Sequence, residues 1–463
     1  MRYPISLGVV ASLLFTLGGC AWITPAPTSA ASEGSAAYPP IVFVHGNGDT
    51  AALWHTTFWR FEVNGWPRSR LHAIDVPYPS ARDDDAKPQT GRSSTTEHAL
   101  FLSDEVAAVR KATGAEKVIL IGNSRGGYAI RNYVQNLGGD AFVSHAILGG
   151  VPNHGVWAND KRPNNEGSEF FGSGAFLKQL NAPKNAAGDE VVGPVKWLTL
   201  RSDNNDKFAQ PDGAWLGLKG TPTGVTFDGP ALTGATNLVL PARDHREVSF
   251  HPDAFAAMWQ FITGIAPQTL TIPPEKAVTL NGKISALGIA GAGDFVTNVP
   301  LAGATLEVFS VNAEGERMGA AVHRRTTNAD GVWGPFSGRP DATYEFVISA
   351  DGYATTHIYR SPFPRSSNVI HMRPARVAIA DRTNAAVVTL TRPRGYFGEG
   401  RDVMSLDGKP LASIVSGVAG GSTAKVALSG HTGRSVVAEF NGERITARAW
   451  PVAGNHVTFI ELH

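Results

Sequence analysis

One cysteine in 463 residues leaves no disulfide framework, and no iron–sulfur or multi-cysteine zinc site can be built from it. An excess of one charge sign is also missing. Lysine plus arginine number 41 and aspartate plus glutamate 40, for a formal net charge of +1, so the chain lacks the basic footprint that holds nucleic acid. Charged residues are only 17% of the chain against 42% apolar, which excludes a disordered polyelectrolyte and leaves enough for a large core. What is plentiful is turn chemistry. With 51 Gly and 30 Pro the chain favours many short connections over a helical bundle. At roughly 150 residues per domain, the length predicts about three domains, or one large domain with an appendage.

The single cysteine, Cys20, ends an apolar run from about Ile5 through Leu17-Gly18-Gly19. That run is too short to span a bilayer and reads as a signal peptide over residues 1–20. Small residues just before a cysteine resemble the bacterial lipoprotein signal. The resemblance implies export, lipidation of Cys20 and a membrane-anchored place in the cell envelope, periplasmic or surface-facing. An ordinary cleaved signal, and simple secretion, is the alternative. Residues 21–38, rich in Thr, Pro, Ala and Ser, read as a flexible tether.

From Pro39 onward strands and helices alternate. Pro39–Val44 is a continuous apolar run closed by His45-Gly46-Asn47-Gly48, the mark of a buried strand entering a tight loop. Leu102, Val106 and Val109 put a helix over Thr95 to about Ala112, stopped by Gly114. A buried strand follows at 117–121 and further strands at 146–148, 195–200 and 237–240, with a helix starting near Ser124. A last helix carries Phe255, Met258, Trp259 and Ile262, opened by Pro252 and stopped by Gly264. This pattern predicts a mostly parallel sheet covered on both faces, an α/β domain over 39–265. After a linker at 266–275 the helices cease. Short β-branched stretches such as 344–348, and a hairpin about Asn441-Gly442, predict an all-β region of one or two sandwiches.

Gly122-Asn123-Ser124-Arg125-Gly126 fits G-x-S-x-G and lies between a buried strand and a helix. A nucleophile elbow needs that placement, since glycines permit the sharp turn that holds the serine hydroxyl clear of the backbone. A serine needs a base. His245 lies between the last strand and the last helix of the domain, and is preferred over His251, whose place at a helix start suits capping. The acid is expected between serine and histidine in chain order, on the polar turn after strand 195–200, where Asp206 is favoured and Asp203 is the alternative. The amides of Arg125 and of Asn47, on the loop after the first strand, are the expected oxyanion donors. No metal-ligand spacing appears and no cofactor is called for. The run Asp83-Asp84-Asp85 reads as a solvated acidic turn.

Together, Val44-His45-Gly46, the serine motif with Gly127, Leu148-Gly149-Gly150-Val151-Pro152-Asn153-His154-Gly155, the stretch 174–181 and Asp244-His245 resemble the α/β-hydrolase lipases of bacteria. Leu301–Ala304, Thr326 with Asp330-Gly331, and Asp351-Gly352-Tyr353 resemble carboxypeptidase-regulatory-like or transthyretin-like sandwiches, which implies one such sandwich over 276–374 and a further β-domain over 375–463. The whole arrangement is similar to archaeal long-chain lipases with a C-terminal β-domain. The resemblance implies a serine carboxylester hydrolase, a lipase or esterase acting on lipid or other esters with an apolar acyl part. It departs at Asn123 and Arg125, where such lipases more usually carry His and an apolar residue or Gln. Residues 153–190, with Trp157, Phe170, Phe171, Phe176 and Leu177, are expected to form a lid-like insertion whose aromatics face the acyl chain. The β region, dispensable for the chemistry itself, is expected to hold the catalytic mouth near aggregated lipid or polymer. No obligatory protein partner is implied. A polyester depolymerase is a rival within the class, and a binding lipoprotein on an inactive hydrolase scaffold a rival outside it.

Overall fold

The computed structural model describes residues 38–159, 166–216, 219–289, 293–412, 414, 417–430 and 432–463. The signal peptide, Cys20 and all but the last residue of the tether lie outside the described residues. Tyr38–His463 form one compact unit.

Six strands form the first sheet: β1 (Ile41–Val44), β2 (Leu71–Ile74), β3 (Val118–Asn123), β4 (Val143–Gly149), β5 (Lys196–Ser202) and β6 (Thr236–Leu240). They lie in the order β2-β1-β3-β4-β5-β6 with every pair parallel. Because successive side chains point to opposite faces, the continuous apolar runs feed two cores at once. Val42, Val44, Leu120 and Leu148 face one core, and Ile41, Phe43, Ile121 and Leu200 face the other. Helices α1 (His55–Val63), α2 (Thr95–Thr113), α3 (Arg125–Asn136), α4 (Ala175–Leu180), α5 (Glu247–Phe250) and α6 (Pro252–Thr263) accompany the sheet. Leu102 and Val106 of α2, with Ile130 and Val134 of α3, cover the first face. Phe58 and Phe61 of α1, with Phe255 and Met258 of α6, cover the second.

The helix ends follow from single residues. Ser94 and Glu97 close a capping box at the start of α2, which pairs two otherwise orphaned amides. Gly114 (φ 67°) and Gly264 (φ 80°) end α2 and α6 in the left-handed region.

Beyond α6 the described elements are strands and short 3₁₀ turns. A seven-stranded sheet runs in the order 323–326, 305–310, 344–349, 355–360, 456–461, 386–391 and 423–428. It takes strands from both sides of residue 375, and two of its pairings are parallel: 355–360 with 456–461, and 456–461 with 386–391. Asn441 (φ 47°) and Gly442 (φ 89°) turn the hairpin between Ser435–Phe440 and Glu443–Arg448, as a two-residue turn with both central angles positive requires. The two regions share packing. Trp59 of α1 belongs to the β-region core with Trp333, Phe346 and Ile358, and its indole N–H donates to Ser366 O at 2.8 Å.

Candidate active site

Ser124 stands between β3 and α3 with φ 51° and ψ −124°, a conformation that costs a non-glycine residue of order 1–3 kcal/mol and persists only where its surroundings enforce it. Those surroundings are specific. Its N–H donates to Gly149 O at 3.0 Å, and Gly127 N–H donates to Ser124 O at 2.9 Å. A Cβ on Gly126 would meet Val44 O at 2.5 Å, and one on Gly46 would meet Asn123 Oδ1 at 2.9 Å and Ser124 Cβ at 3.1 Å. The loop after β1 therefore presses on the turn after β3 at distances that only glycine allows.

His245 lies on the connection between β6 and α5. Its Nδ1 is 2.9 Å from Oδ1 and 2.8 Å from Oδ2 of Asp206, and both residues are 2% exposed. Phe208 N–H donates to Asp206 Oδ1 at 2.8 Å, and the Phe208 ring meets the imidazole edge-on at 4.6 Å. An Nδ1–H given to Asp206 leaves Nε2 as the free base, and that atom is buried with no hydrogen-bond partner among the described residues. No hydrogen bond joins it to Ser124. Such contacts are often long before substrate binds. The two residues are nonetheless tied through Asn123, whose Nδ2 donates to His245 O at 3.2 Å, Gly149 O at 3.0 Å and Ser249 Oγ at 2.8 Å.

The two alternatives sit elsewhere. Asp203 accepts from Asn204 N at 2.7 Å, Asn205 Nδ2 at 2.9 Å and Ala242 N at 3.1 Å. Burial pulls its carboxyl upward, and these donors with Ser202 outweigh that and hold it at about 2. His251 accepts from Asp253 N–H at 3.3 Å and caps α6.

Of the two expected oxyanion donors, Arg125 opens α3, so its N–H is among the donors that a helix start leaves unpaired. Asn47 is exposed, and its side chain is held by Ala81 N–H at 2.7 Å. His45 braces that loop from beneath: Nδ1 donates to Gly46 O at 2.9 Å, and Val76 N–H donates to Nε2 at 3.1 Å. Burial, against the pull of Asp75, pushes the His45 imidazole below its ordinary range.

Asn123 and Arg125, the two departures from the lipase pattern, are both structural ties. The fully buried Arg125 guanidinium forks onto Glu169, with Nε to Oε1 at 2.7 Å and Nη2 to Oε2 at 2.8 Å. It also donates to Ser93 Oγ at 2.9 Å and Pro79 O at 3.2 Å. Nothing in the sequence marked Glu169 as its partner, because 44 residues separate them. Within 153–190, Leu177 is buried in the first core with Phe170 and Phe176 packed against it, and those two rings lie 5.9 and 5.7 Å from Tyr128. Val156, Trp157 and Phe171 form a small apolar cluster with Phe170, Phe208 and Leu216 packed against it, and of these Phe208 also meets the His245 imidazole. Among the described residues, no group of three or more His, Cys, Asp or Glu is arranged to hold a metal ion, and no helix is long and apolar enough to cross a membrane.

Residues 39–207 match the family model described as alpha/beta hydrolase fold, and residues 276–377 match the Lipase C-terminal domain. No curated protein matches. Similar solved structures include lipase B of Aspergillus fumigatus at 15% identity (51% of this chain, 55% of that one, TM-score 0.36). The mature lipase BlEst2 of Bacillus licheniformis is 21% identical (49% of this chain, 92% of that one, TM-score 0.34). Phospholipase PlaB of Legionella pneumophila is 12% identical (72% of this chain, 94% of that one, TM-score 0.34).

Proposed function

We propose that this chain, an α/β-hydrolase-fold carboxylic ester hydrolase of the lipase and esterase class with a C-terminal β region, cleaves esters with an apolar acyl part through a serine acyl-enzyme. Ser124 Oγ attacks the ester carbonyl and passes its proton to His245 Nε2. As the C–O bond to the alcohol breaks, His245 gives that proton to the leaving oxygen, and the acyl group stays on Ser124. Water then loses a proton to Nε2, its oxygen attacks the acyl carbon, and the proton returns to Ser124 Oγ as the acid departs. Asp206 keeps the imidazole in the Nδ1–H tautomer and stabilises the imidazolium. The amides of Asn47 and Arg125 receive the oxyanion.

The observation that carries the proposal is the His245–Asp206 pair at 2.8 and 2.9 Å with a buried Nε2 that has no partner among the described residues, tied through Asn123 to a serine held at φ 51°. The apolar side of the substrate is assigned to the cluster of Val156, Trp157, Phe171, Phe208 and Leu216. Rates on p-nitrophenyl esters of graded acyl length test it. From acetate upward kcat/KM should rise by up to about fourfold per methylene, the value of burying one CH₂, until the cluster is filled. Near-normal turnover by a folded Ser124→Ala variant would overturn the assignment.

The proposal extends to location. With Cys20 lipidated, the enzyme is exported and tethered to a membrane of the cell envelope. In that case Cys20→Ser should move it from the membrane to the soluble fraction, and an unchanged distribution would count against the anchor.

A further inference from the structure

The expected base lies in the stretch Arg243-Asp244-His245-Arg246-Glu247, with a buried carboxylate on either side. Asp244 is 0% and Glu247 8% exposed. Asp244 Oδ1 accepts from the N–H groups of Arg246 and Glu247, both at 2.9 Å, and Asp244 N–H donates to Glu247 Oε2 at 2.9 Å. Two carboxylates this close and this dry repel each other and are costly to bury unpaired.

The groups that compensate them come from the β region. Tyr396 N–H donates to Asp244 Oδ2 at 2.8 Å, and Arg392 Nη1 and Arg401 Nη2 stand 3.4 and 3.5 Å from the same oxygen. Arg392 Nη2 donates to Glu247 Oε1 at 2.9 Å, and Arg401 Nη1 donates to Glu247 Oε2 at 2.9 Å. The arginines are themselves fixed. Arg392 Nε donates to His463 O at 2.9 Å, its N–H donates to Ser422 O at 2.8 Å, and its guanidinium lies 4.4 Å from the Phe440 ring centroid. Arg401 Nη2 donates to Asp402 Oδ2 and Tyr396 O, each at 2.8 Å.

The same segment reaches the acid. The Tyr396 ring has Lys207 Nζ 4.0 Å and Arg246 Cζ 4.9 Å from its centroid, and Lys207 Nζ donates to Gly420 O at 2.9 Å. Lys207 adjoins Asp206, while Asp244 and Arg246 adjoin His245. Residues 392–401 thus touch the chain neighbours of both members of the His–Asp pair.

We propose that residues 392–401 are a clamp that sets His245 and Asp206 against Ser124, with Arg392, Arg401 and Tyr396 as positioning residues supplied by the β region. The proposal rests on the Ser124–His245–Asp206 assignment. It gives the β region a part in the chemical step for every substrate, whether or not it also recruits lipid. None of the three residues is assigned a contact with the ester. They act by fixing where the imidazole stands, and a small misplacement of a catalytic group is enough to cost a large rate factor.

The test uses the full-length chain. Arg392→Met with Arg401→Met should lower kcat by about 10²-fold while KM moves by less than about threefold. The factor should be the same on soluble p-nitrophenyl butyrate and on an emulsified long-chain ester. Glu247→Gln added to Arg392→Met should recover part of the loss, because it removes the carboxylate left unpaired. Trp333→Leu, in a β-region core separate from the one that holds Phe397 and Phe440, should lower thermal stability and leave kcat of the folded enzyme unchanged. Should the double variant not fold, Arg401→Met alone decides, since that side chain is already 18% exposed. A kcat close to wild type in the arginine variants, or a loss confined to the emulsified ester, overturns the clamp. Failure of the underlying assignment looks different, because then Ser124→Ala itself retains turnover.

Discussion

The six-stranded parallel sheet and the seven-stranded β-region sheet solve the problem of burying two faces in opposite ways. In the first, the central strands are largely apolar and their alternate residues enter two cores, and Ser124, Asp206 and His245 all follow strand ends. In the second, strands about 100 residues apart in the chain pair in parallel, as 355–360 does with 456–461. Its contribution to the candidate site is made by arginines on a turn-rich segment after the strand 386–391. The first region holds the proposed reacting groups and the second holds the charges that fix them. A boundary drawn by sequence texture therefore runs through the proposed machinery.

The largest effect falls in the first region, at Ser124. Ser124→Ala should lower kcat on a soluble ester by about 10⁴-fold or more with an unchanged melting temperature, as measured by steady-state kinetics and calorimetry on one preparation. Asp206→Asn should approach a 10⁴-fold loss by favouring the wrong imidazole tautomer, whereas Asp203→Asn should leave kcat nearly untouched. A large loss at Asp203 and none at Asp206 would reverse the acid assignment.

Ion pairs sharpen the contrast in stability. Glu169→Ala strands the buried Arg125 guanidinium and should cost about 3–5 kcal/mol in denaturant unfolding. The exposed pair Arg448–Glu316 of the β region, 3.0 Å apart, should be worth less than about 1 kcal/mol when Glu316 is replaced by Ala. Equal costs would mean that Arg125 is compensated by something other than Glu169.

The smallest effect is in pH. The Glu190 carboxylate, 2.8 Å from His154 Nε2, raises the His154 pKa above 6.5, with burial and Arg131 opposing. A raised imidazole contributes stability that is full below its unfolded value of about 6.5 and is lost as pH climbs through the folded value. His154→Gln should therefore lower the urea midpoint most at about pH 6, and the gap to wild type should narrow as pH rises beyond that. A gap independent of pH would show that the pair does not titrate.

How far this was legible in the sequence differs by region. Strands β1, β3, β4 and β5 were readable because burial on both faces leaves an uninterrupted apolar run, and Gly114, Pro252 and Gly264 marked helix ends directly. Strand β2 was missed because an edge strand reading Leu-His-Ala-Ile is only half buried and has no run to show. Helix α1 was missed because its buried side includes His55, Thr56, Thr57 and Arg60, packed partly against the β region, so no apolar period appears. Ser124, His245 and Asp206 could be named because chain order and strand ends constrain them. Asn123 and Arg125 looked like changes in chemistry and are instead ties, to Ser249 and to Glu169. Arg392 and Arg401 carried no signal, since their partners lie 145–157 residues away.

The central claim, that Ser124 is activated by a histidine poised on Asp206, is tested most directly by a fluorophosphonate probe followed by peptide mapping. One adduct is expected, on the peptide containing Ser124, formed rapidly in the wild type, absent in Ser124→Ala and strongly slowed in His245→Gln. An active enzyme that takes no label, or takes it on another residue, would contradict it.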